Sequence, residues 1–136
     1  MASLQNKVAI VTGGALGIGG ATSRKLASEG AKVLVADYAM EAAEENSARI
    51  QEAGGEAKAL QVDVSKAEDI EAMVAEAVST FGSLHILVNN AWGSKEPDGS
   101  AETVTESAWE YGLDTMVRAH FRAMKHVVPH MRDAGC

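Results

Sequence analysis

The sequence predicts an α/β fold in which a parallel sheet is doubly wound, with helices on both of its faces. Four short apolar segments alternate with four segments whose apolar residues recur every three or four positions. Each apolar segment runs into Gly, Asp or Asn within two positions. Because consecutive parallel strands need a crossover, and a helix is the usual one, the alternation favours four parallel strands in the order 3-2-1-4.

In the first half, strands are predicted at residues 7–11 and 32–36, and helices at residues 17–29 and 41–53. Each strand is a short apolar run that ends at a glycine-rich or acidic position. Gly30 ends the first helix, and Gly54 with Gly55 ends the second, since glycine readily adopts the left-handed conformation that stops a helix.

In the second half, strands are predicted at residues 57–62 and 84–88, with a helix between them and a final long helix from about Glu106. Ser65 and Glu68 have the spacing of a capping box, which predicts that the middle helix opens there. The apolar positions of that helix form one face, made of Ile70, Met73, Val74, Ala77 and Val78. A polar loop through Pro97, Asp98 and Gly99 precedes the final helix.

The first strand runs directly into a glycine-rich segment, in which Gly13, Gly17 and Gly19 have the spacing G-x-x-x-G-x-G. A phosphate group approaches glycine backbone closely, and the first N–H groups of the following helix attract it. An ordinary tight turn would explain one glycine, but not these three together with Gly14 and Gly20. We therefore interpret the segment as a dinucleotide-binding turn in a Rossmann-like sheet.

Asp37 follows the second predicted strand, where a carboxylate accepts hydrogen bonds from both hydroxyls of an adenosine ribose. The same charge repels a 2′-phosphate, so the sequence predicts NAD as the cofactor in preference to NADP. Gly13, Asp37, Asp63 and Asn90 each follow a different predicted strand. We expect them to meet at the carboxyl edge of the sheet, beside the switch point between strands 1 and 4.

The composition predicts a single domain over residues 1–136, with neither nucleic acid nor a membrane as partner. The chain is 46% hydrophobic and carries 12 basic and 19 acidic residues, for a net charge of −7. A net negative charge disfavours nucleic acid as a partner, because a nucleic-acid-binding surface has to neutralise the phosphate backbone with positive charge. No stretch is long and apolar enough to span a bilayer, and the amino terminus lacks the apolar core of a secretory signal, so we expect a cytoplasmic protein.

Metal binding is not predicted. Cys136 is the only cysteine, which excludes a cysteine-cluster metal site and an internal disulfide. His126 and His130 lie one turn apart, but no third ligand is evident and Pro129 distorts the turn between them. Four basic residues recur at helical spacing late in the chain, namely Arg118, Arg122, Lys125 and Arg132. We interpret them as a stripe that faces solvent or another subunit.

These motifs resemble the amino-terminal half of the short-chain dehydrogenases and reductases, a family that transfers hydride between a nicotinamide and a carbonyl or alcohol carbon. The matching residues, in order and spacing, are Thr12-Gly13-x-x-x-Gly17-x-Gly19, Asp37, Asp63-Val64 and Asn89-Asn90-Ala91. The resemblance covers essentially the whole chain. It implies a domain that is incomplete at its carboxyl end, because family members continue into further strands that carry a serine and a Tyr-x-x-x-Lys pair.

The resemblance also implies a role for each motif. The glycine turn holds the pyrophosphate, and Asp37 holds the adenine ribose. Asp63 edges the adenine, and Asn90 supports the sheet beside the cofactor. The full set of implied cofactor contacts is Gly13, Ala15, Leu16, Gly17, Ile18, Gly19, Asp37, Tyr38, Asp63, Val64, Asn90 and Ala91.

The chain departs from the family pattern in three places. Trp92 follows Ala91 where the family usually has glycine, and an indole there either narrows the cofactor rim or packs into the loop. Met116 stands where the family has an active-site asparagine, unless the ungapped alignment through residues 93–107 has slipped. Neither Tyr38 nor Tyr111 has a lysine four positions on, so no catalytic residue is assigned in this chain.

The last predicted helix carries an apolar stripe, formed by Trp109, Leu113, Met116, His120, Met124, Val127 and Met131. Packing in the core is the favoured interpretation of this stripe. The resemblance adds that family members commonly dimerise through this helix. On that view part of the stripe faces another subunit, and the chain forms a homo-oligomer.

The favoured function is that of the cofactor-binding half of an NAD-dependent oxidoreductase acting on a small-molecule alcohol or carbonyl, a half that is inactive alone. The alternative is a non-catalytic NAD-binding module or subunit. A methyltransferase is disfavoured because Thr12 stands where those enzymes usually have an acid, and a P-loop is excluded by the absence of its Gly-Lys-Ser/Thr motif. An open edge at strand 4 predicts that the isolated chain is marginally stable, aggregation-prone or dependent on a partner.

Overall fold

A computed structural model describes residues 3–94 and 99–136, so the predicted loop residues Pro97 and Asp98 lie outside the described residues. Its elements are β1 (Val8–Thr12), α1 (Gly17–Ser28), β2 (Lys32–Asp37), α2 (Met40–Glu52), β3 (Glu56–Gln61), α3 (Ala67–Phe81), β4 (Ile86–Val88), α4 (Glu106–Leu113) and α5 (Ala119–Asp133). A π-helical turn at Asp114–Arg118 joins α4 to α5. Within these ranges, no helix combines the length and the apolar composition needed to cross a membrane.

The strands are parallel and lie in the order β3-β2-β1-β4, which confirms the predicted doubly wound α/β sheet. Ile10 of β1 pairs with Leu34 of β2 on one side and with Leu87 of β4 on the other. Every residue of β1 is buried, because the strand is central and has helices on both faces. Because all four strands are parallel, their carboxyl ends lie at the same edge of the sheet, where the loops that follow them gather.

The sheet separates two apolar clusters, since neighbouring residues of a strand point to opposite faces. Val8 and Ile10 of β1 pack with residues of α3 and α5, whereas Ala9 and Val11 pack with residues of α1 and α2. Complete burial of a side chain such as Ile10 contributes about 2 kcal/mol. The cluster on the α1 and α2 side is rich in alanine, so these helices lie close to the sheet and bring the glycine turn against its edge.

The predicted capping box at Ser65 and Glu68 is wrong. Helix α3 begins at Ala67, and no side chain caps its amino terminus at Lys66. The helix therefore starts one residue too late for Ser65 to be its N-cap, and the hydroxyl of Ser65 donates to Asp63 Oδ1 at 2.6 Å within the preceding loop. Asp69, in the first turn of α3, accepts a hydrogen bond from the backbone N–H of Asp63 at 2.8 Å and ties the loop to the helix.

The predicted core stripe of the last helix is wrong in part. Val127 is buried and Met131 packs against the core, as the stripe predicts. Trp109, Met116 and Met124 are instead exposed. The buried face of α5 is formed by small residues, Ala119, Ala123 and Val127. In the π turn the N–H of Ala119 bonds to the carbonyl of Asp114, so its extra residue offsets the positions before the turn from those after it. A stripe counted at constant helical spacing therefore does not stay on one face across the turn.

Candidate functional site

A cleft of about 830 Å³ opens at the carboxyl edge of the sheet, between the loops that follow β1, β2, β3 and β4. All of the predicted site residues except Ala15 line this cleft. The side chain of Ala15 is buried in the cluster under α1 and α2 and does not line the cleft. The cleft is also lined by residues that were not predicted as cofactor contacts, namely Val62, Trp92, Gly93, Ser94, Tyr111 and Thr115.

The glycine turn after β1 folds back on itself so tightly that side chains have no room. A Cβ at Gly19 would lie 2.0 Å from the carbonyl oxygen of Gly13, and a Cβ at Gly13 would lie 2.8 Å from Asn90 Nδ2. Gly13 also has a φ of +61°, in the left-handed region that disfavours other residues. The glycines therefore bring bare backbone to the wall of the cleft.

The amino terminus of α1 opens into this cleft. Leu16 precedes the helix and supplies no side-chain cap, and the first turn contains no acidic residue. The first N–H groups of a helix have no partner within the helix, and together with the helix dipole they favour an anion at this point. The turn therefore has the geometry and the charge preference of a phosphate-binding site.

Asp37 joins the end of β2 to the glycine turn. One carboxylate oxygen accepts from the backbone N–H of Ala15 at 3.0 Å, and the other accepts from the N–H of Ala39 at 3.0 Å. Both bonds hold the carboxylate at the rim, where the side chain lines the cleft. The N–H of Ala15 thus contributes to the site by positioning Asp37, although its methyl group lies in the core.

Asn90 locks the loop after β4 to the turn after β1. Its side-chain amide donates to the carbonyls of Thr12 and Gly13 at 3.1 and 3.2 Å. The hydroxyl of Thr12 accepts from the backbone N–H groups of Asn90 and Ala91 at 3.0 and 3.1 Å and donates to the carbonyl of Val88. The amide N–H groups of Asn90 are directed at backbone carbonyls, so this side chain positions the glycine turn.

The loop after β3 presents Asp63 and Val64 to the cleft. Asp63 accepts from both the N–H and the hydroxyl of Ser65, and the ammonium of Lys66 lies 3.9 Å from its other oxygen. Arg122 of α5 donates to the carbonyl of Ser65 at 3.3 Å and fastens this loop to the last helix. The carboxylate of Asp63 is therefore held in place at the end of β3.

The wall of the cleft beyond β4 comes from Trp92, Gly93, Tyr111 and Thr115. Trp92 lines the cleft and is 66% exposed, so the indole lies at the rim. Thr115 is buried and donates to the carbonyls of Tyr111 and Gly93 at 3.0 and 3.4 Å. Met116, which the alignment placed at an active-site position, is exposed and lies outside the described lining.

The electrostatic character of the cleft is acidic. Among the described residues that line it, Asp37 and Asp63 are charged at neutral pH and no lysine or arginine is present. Burial raises the pKa of Tyr111, and the nearby Asp63 and Tyr38 raise it further. A raised pKa is the opposite of what a tyrosine needs to act as a general base. No group of three metal-ligating side chains forms within residues 3–94 and 99–136.

A second groove, of about 420 Å³, lies at the opposite edge of the sheet. Its cations are engaged with neighbours, since Arg24 donates to Asn46 at 2.7 Å, and Lys32 pairs with Glu56 at 3.2 Å. Arg49 likewise pairs with Glu45. Helices α1 and α2 point their carboxyl ends toward this groove, which disfavours an anion there. The carboxyl edge of the sheet is therefore the candidate site.

Comparisons with known proteins agree with this geometry. The family model described as short chain dehydrogenase matches residues 7–135. The chain is 39% identical to cyclohexanol dehydrogenase of Acinetobacter sp. (strain SE19) over 130 residues, which are 96% of this chain and 51% of that protein. It is 47% identical over 104 residues to the short-chain dehydrogenase/reductase homolog YusS of Bacillus subtilis (strain 168), with 74% of this chain and 94% of that protein covered.

A solved structure has the same architecture. The crystal structure of hydroxysteroid dehydrogenase from Escherichia coli superposes with a TM-score of 0.89 at 30% sequence identity, covering 97% of this chain and 55% of that one. The chain spans about half the length of most of the curated relatives that it matches. On the family model, the identities and the shared sheet, the chain belongs to the short-chain dehydrogenase/reductase family.

Proposed function

We propose that this chain is the NAD-binding part of an oxidoreductase that acts on a small-molecule alcohol or carbonyl compound. The nicotinamide supplies hydride transfer when bound. The roles proposed for the chain are binding and orientation, with Gly13, Leu16, Gly17, Ile18 and Gly19 around the pyrophosphate. The proposed adenosine contacts are Asp37, Tyr38, Asp63 and Val64, and Asn90 with Ala91 supports the turn.

The residues at the carboxyl edge fit a dinucleotide. A side chain at Gly13 or Gly19 would fill the space next to the backbone, and the uncapped start of α1 favours a phosphate there. The cleft volume of about 830 Å³ lies in the range of small-molecule and cofactor sites. Asp37 is hydrogen-bonded to the turn itself, through the backbone N–H of Ala15 at 3.0 Å, and lines the same cleft, where a carboxylate after the second strand can bind a ribose.

The single observation that carries the preference for NAD is the position of Asp37. Its carboxylate is fixed at the rim by two backbone N–H groups. No lysine or arginine lies among the described lining residues to neutralise a 2′-phosphate. A 2′-phosphate placed against a fixed carboxylate meets like-charge repulsion without compensation, whereas the two hydroxyls of the adenine ribose in NAD can donate to it.

A titration of the purified chain with NADH and with NADPH tests this proposal. Nicotinamide fluorescence and thermal shift report binding, and Asp37→Ala is the variant. We expect saturable binding that favours NADH by at least about tenfold, which is about 1.4 kcal/mol, and a preference that disappears in Asp37→Ala. Glu45→Ala, which removes an exposed carboxylate on α2, is the control and should keep the preference. Equal affinity for both cofactors in the parent chain would overturn the assignment.

A non-catalytic NAD-binding module or subunit is the second candidate. Ala42 follows Tyr38 by four positions and Thr115 follows Tyr111, so this chain carries no Tyr-x-x-x-Lys pair. We infer that the chain alone does not turn NAD over. The test is formation of NADH from NAD with cyclohexanol, the alcohol in the name of one relative, and measurable turnover by the chain alone would refute the inference.

We further propose a homo-oligomer that forms through the last helices. An apolar face of α4, the π turn and α5 is open to solvent, and its large side chains are Trp109, Met116, Val117, Phe121, Met124 and Val128. A face on which several large apolar side chains are exposed together is typical of interaction sites in soluble proteins. We also propose a cytoplasmic location, on the composition of the sequence.

A further inference from the structure

Asn46 of α2 is a buried polar side chain that contacts the glycine turn from outside the cleft. It is 1% exposed and is not among the described residues that line the cleft. Its amide nitrogen donates to the carbonyl of Gly14 at 2.8 Å and to that of Gly20 at 3.4 Å. Its amide oxygen accepts from Nη1 of Arg24 at 2.7 Å. A buried amide is costly unless both of its ends are hydrogen-bonded, and here both are.

Arg24 determines which end of this amide faces the glycine turn. A guanidinium group only donates hydrogen bonds, and a backbone carbonyl only accepts them. The amide oxygen of Asn46 therefore has to face Arg24, and the amide nitrogen has to face the carbonyl of Gly14. Because Arg24 is exposed on α1, a chain of hydrogen bonds runs from the surface of this helix through the buried amide to the turn.

The peptide group between Gly14 and Ala15 is bonded at both of its ends. Its carbonyl oxygen accepts from Asn46 and, at 3.1 Å, from the hydroxyl of the buried Ser23. Its N–H is that of Ala15, which donates to Asp37 at 3.0 Å. A peptide group is planar, so bonds that hold its oxygen also fix the direction of its N–H. Asn46 and Ser23 thereby direct this N–H at the carboxylate of Asp37.

We propose that Asn46, oriented by Arg24, is a positioning residue for the cofactor preference of the cleft. The inference rests on the proposed NAD site and deepens it. Asp37 is held at the rim by the N–H groups of Ala15 and Ala39, and the first of these bonds depends on the peptide that Asn46 holds. A carboxylate held in place binds ribose hydroxyls without losing further conformational entropy, and it cannot turn away from a 2′-phosphate. A carboxylate released from the turn loses both effects.

The ratio of the dissociation constants of NADPH and NADH, measured by calorimetric titration of the full chain, tests the inference. Asn46→Leu keeps the branched shape of the side chain and removes its donor and its acceptor. We expect the ratio to fall by roughly fivefold, which corresponds to about 1 kcal/mol, the contribution of one hydrogen bond. A merely structural role would loosen the whole turn and weaken both cofactors equally. An unchanged ratio in Asn46→Leu would therefore overturn the inference.

A double-mutant cycle shows whether Asn46 acts through Asp37. In the Asp37→Ala background no carboxylate remains to be positioned, so adding Asn46→Leu should leave the ratio within about twofold. A fivefold change in that background would also overturn the inference, because Asn46 would then act on the cofactor by another route. Absence of NADH binding to the folded parent chain would instead overturn the proposed function itself.

Arg24→Leu gives the same readout if Asn46→Leu fails to fold, because Arg24 is exposed. It removes the partner of the amide oxygen, so the ratio should again fall. Loss of a positive charge by itself disfavours the more negative NADPH and raises the ratio, so the two causes have opposite signs. Arg49→Leu is the matched control, because it removes the same charge from a side chain that pairs with Glu45, and it should not lower the ratio. A ratio that stays constant or rises in Arg24→Leu would overturn the inference.

Discussion

Replacing Gly19 by alanine tests whether the chain itself holds the glycine turn closed. The added Cβ would lie 2.0 Å from the carbonyl oxygen of Gly13 and 2.5 Å from Asn90 Nδ2. Since non-bonded atoms are best placed at about 3.5–4.0 Å, the turn has to open by more than about 1 Å. Overpacking of this kind costs about 1–3 kcal/mol, and opening the turn also weakens the bonds of Asn90, each worth about 1 kcal/mol. We expect the free energy of unfolding to fall by about 3 kcal/mol.

Urea denaturation followed by circular dichroism measures this loss. Gly112→Ala is the matched control, because a Cβ at Gly112 in α4 would have no atom within 4 Å. Alanine is the better helix former by about 0.8–1.0 kcal/mol, so this variant should be as stable as the parent chain or more stable. A Gly19→Ala chain within about 0.5 kcal/mol of the parent would refute the steric argument.

Three further predictions concern other parts of the chain. The Nδ1 atom of His85 accepts a hydrogen bond from the N–H of Val8, and burial, together with the charge of Lys7, lowers the pKa of this side chain. The unfolded chain therefore binds more protons than the folded chain, and stability should be lost as the pH falls below about 6.5. Urea titrations at several pH values should show this dependence, and His85→Asn should flatten it. Asp69→Ala should destabilise the chain by about 1 kcal/mol in thermal melts, and Ser65→Ala by less, since Asp69 ties the loop to α3. Phe121→Lys should convert an oligomer to monomers in sedimentation experiments, because it places a charge on the exposed apolar face; an unchanged sedimentation coefficient would place the interface elsewhere.

The sheet was predictable because its rules are local and geometric. A strand that alternates with helices has to pair in parallel, and the carboxyl ends of parallel strands share one edge. It follows that Gly13, Asp37, Asp63 and Asn90 line one cleft, and the structure has them there. Their separation along the chain did not matter, since each is anchored to a strand whose neighbours the crossover rule determines.

The position of the last helix could be predicted from the sequence, but not which of its side chains face the core, because a π turn adds one residue to a turn of this helix. The π turn at Asp114–Arg118 offsets the residues before it from those after it. Ala119, Ala123 and Val127 form the buried face of α5, and Met116 and Met124 are exposed. Nothing in the spacing of apolar residues signals such a turn. Tyr111 and Thr115 are four positions apart and both line the cleft, whereas Met116 does not.

The bonds of Thr12, Asp37 and Asn90 have a consequence for how a nucleotide stabilises this chain. They connect the turn after β1 to β2 and to the loop after β4 by contacts within the protein itself. Binding to such a preformed turn acts by mass action, so NADH at 100 times its dissociation constant should add about 2.7 kcal/mol to the free energy of unfolding. Because no segment has to fold around the ligand, the steepness of the urea transition should stay the same apart from this shift. A steeper transition with NADH would mean that the turn becomes ordered only on binding. The hydrogen bonds of Asn90 would then form as a result of binding and would not be present in the free chain.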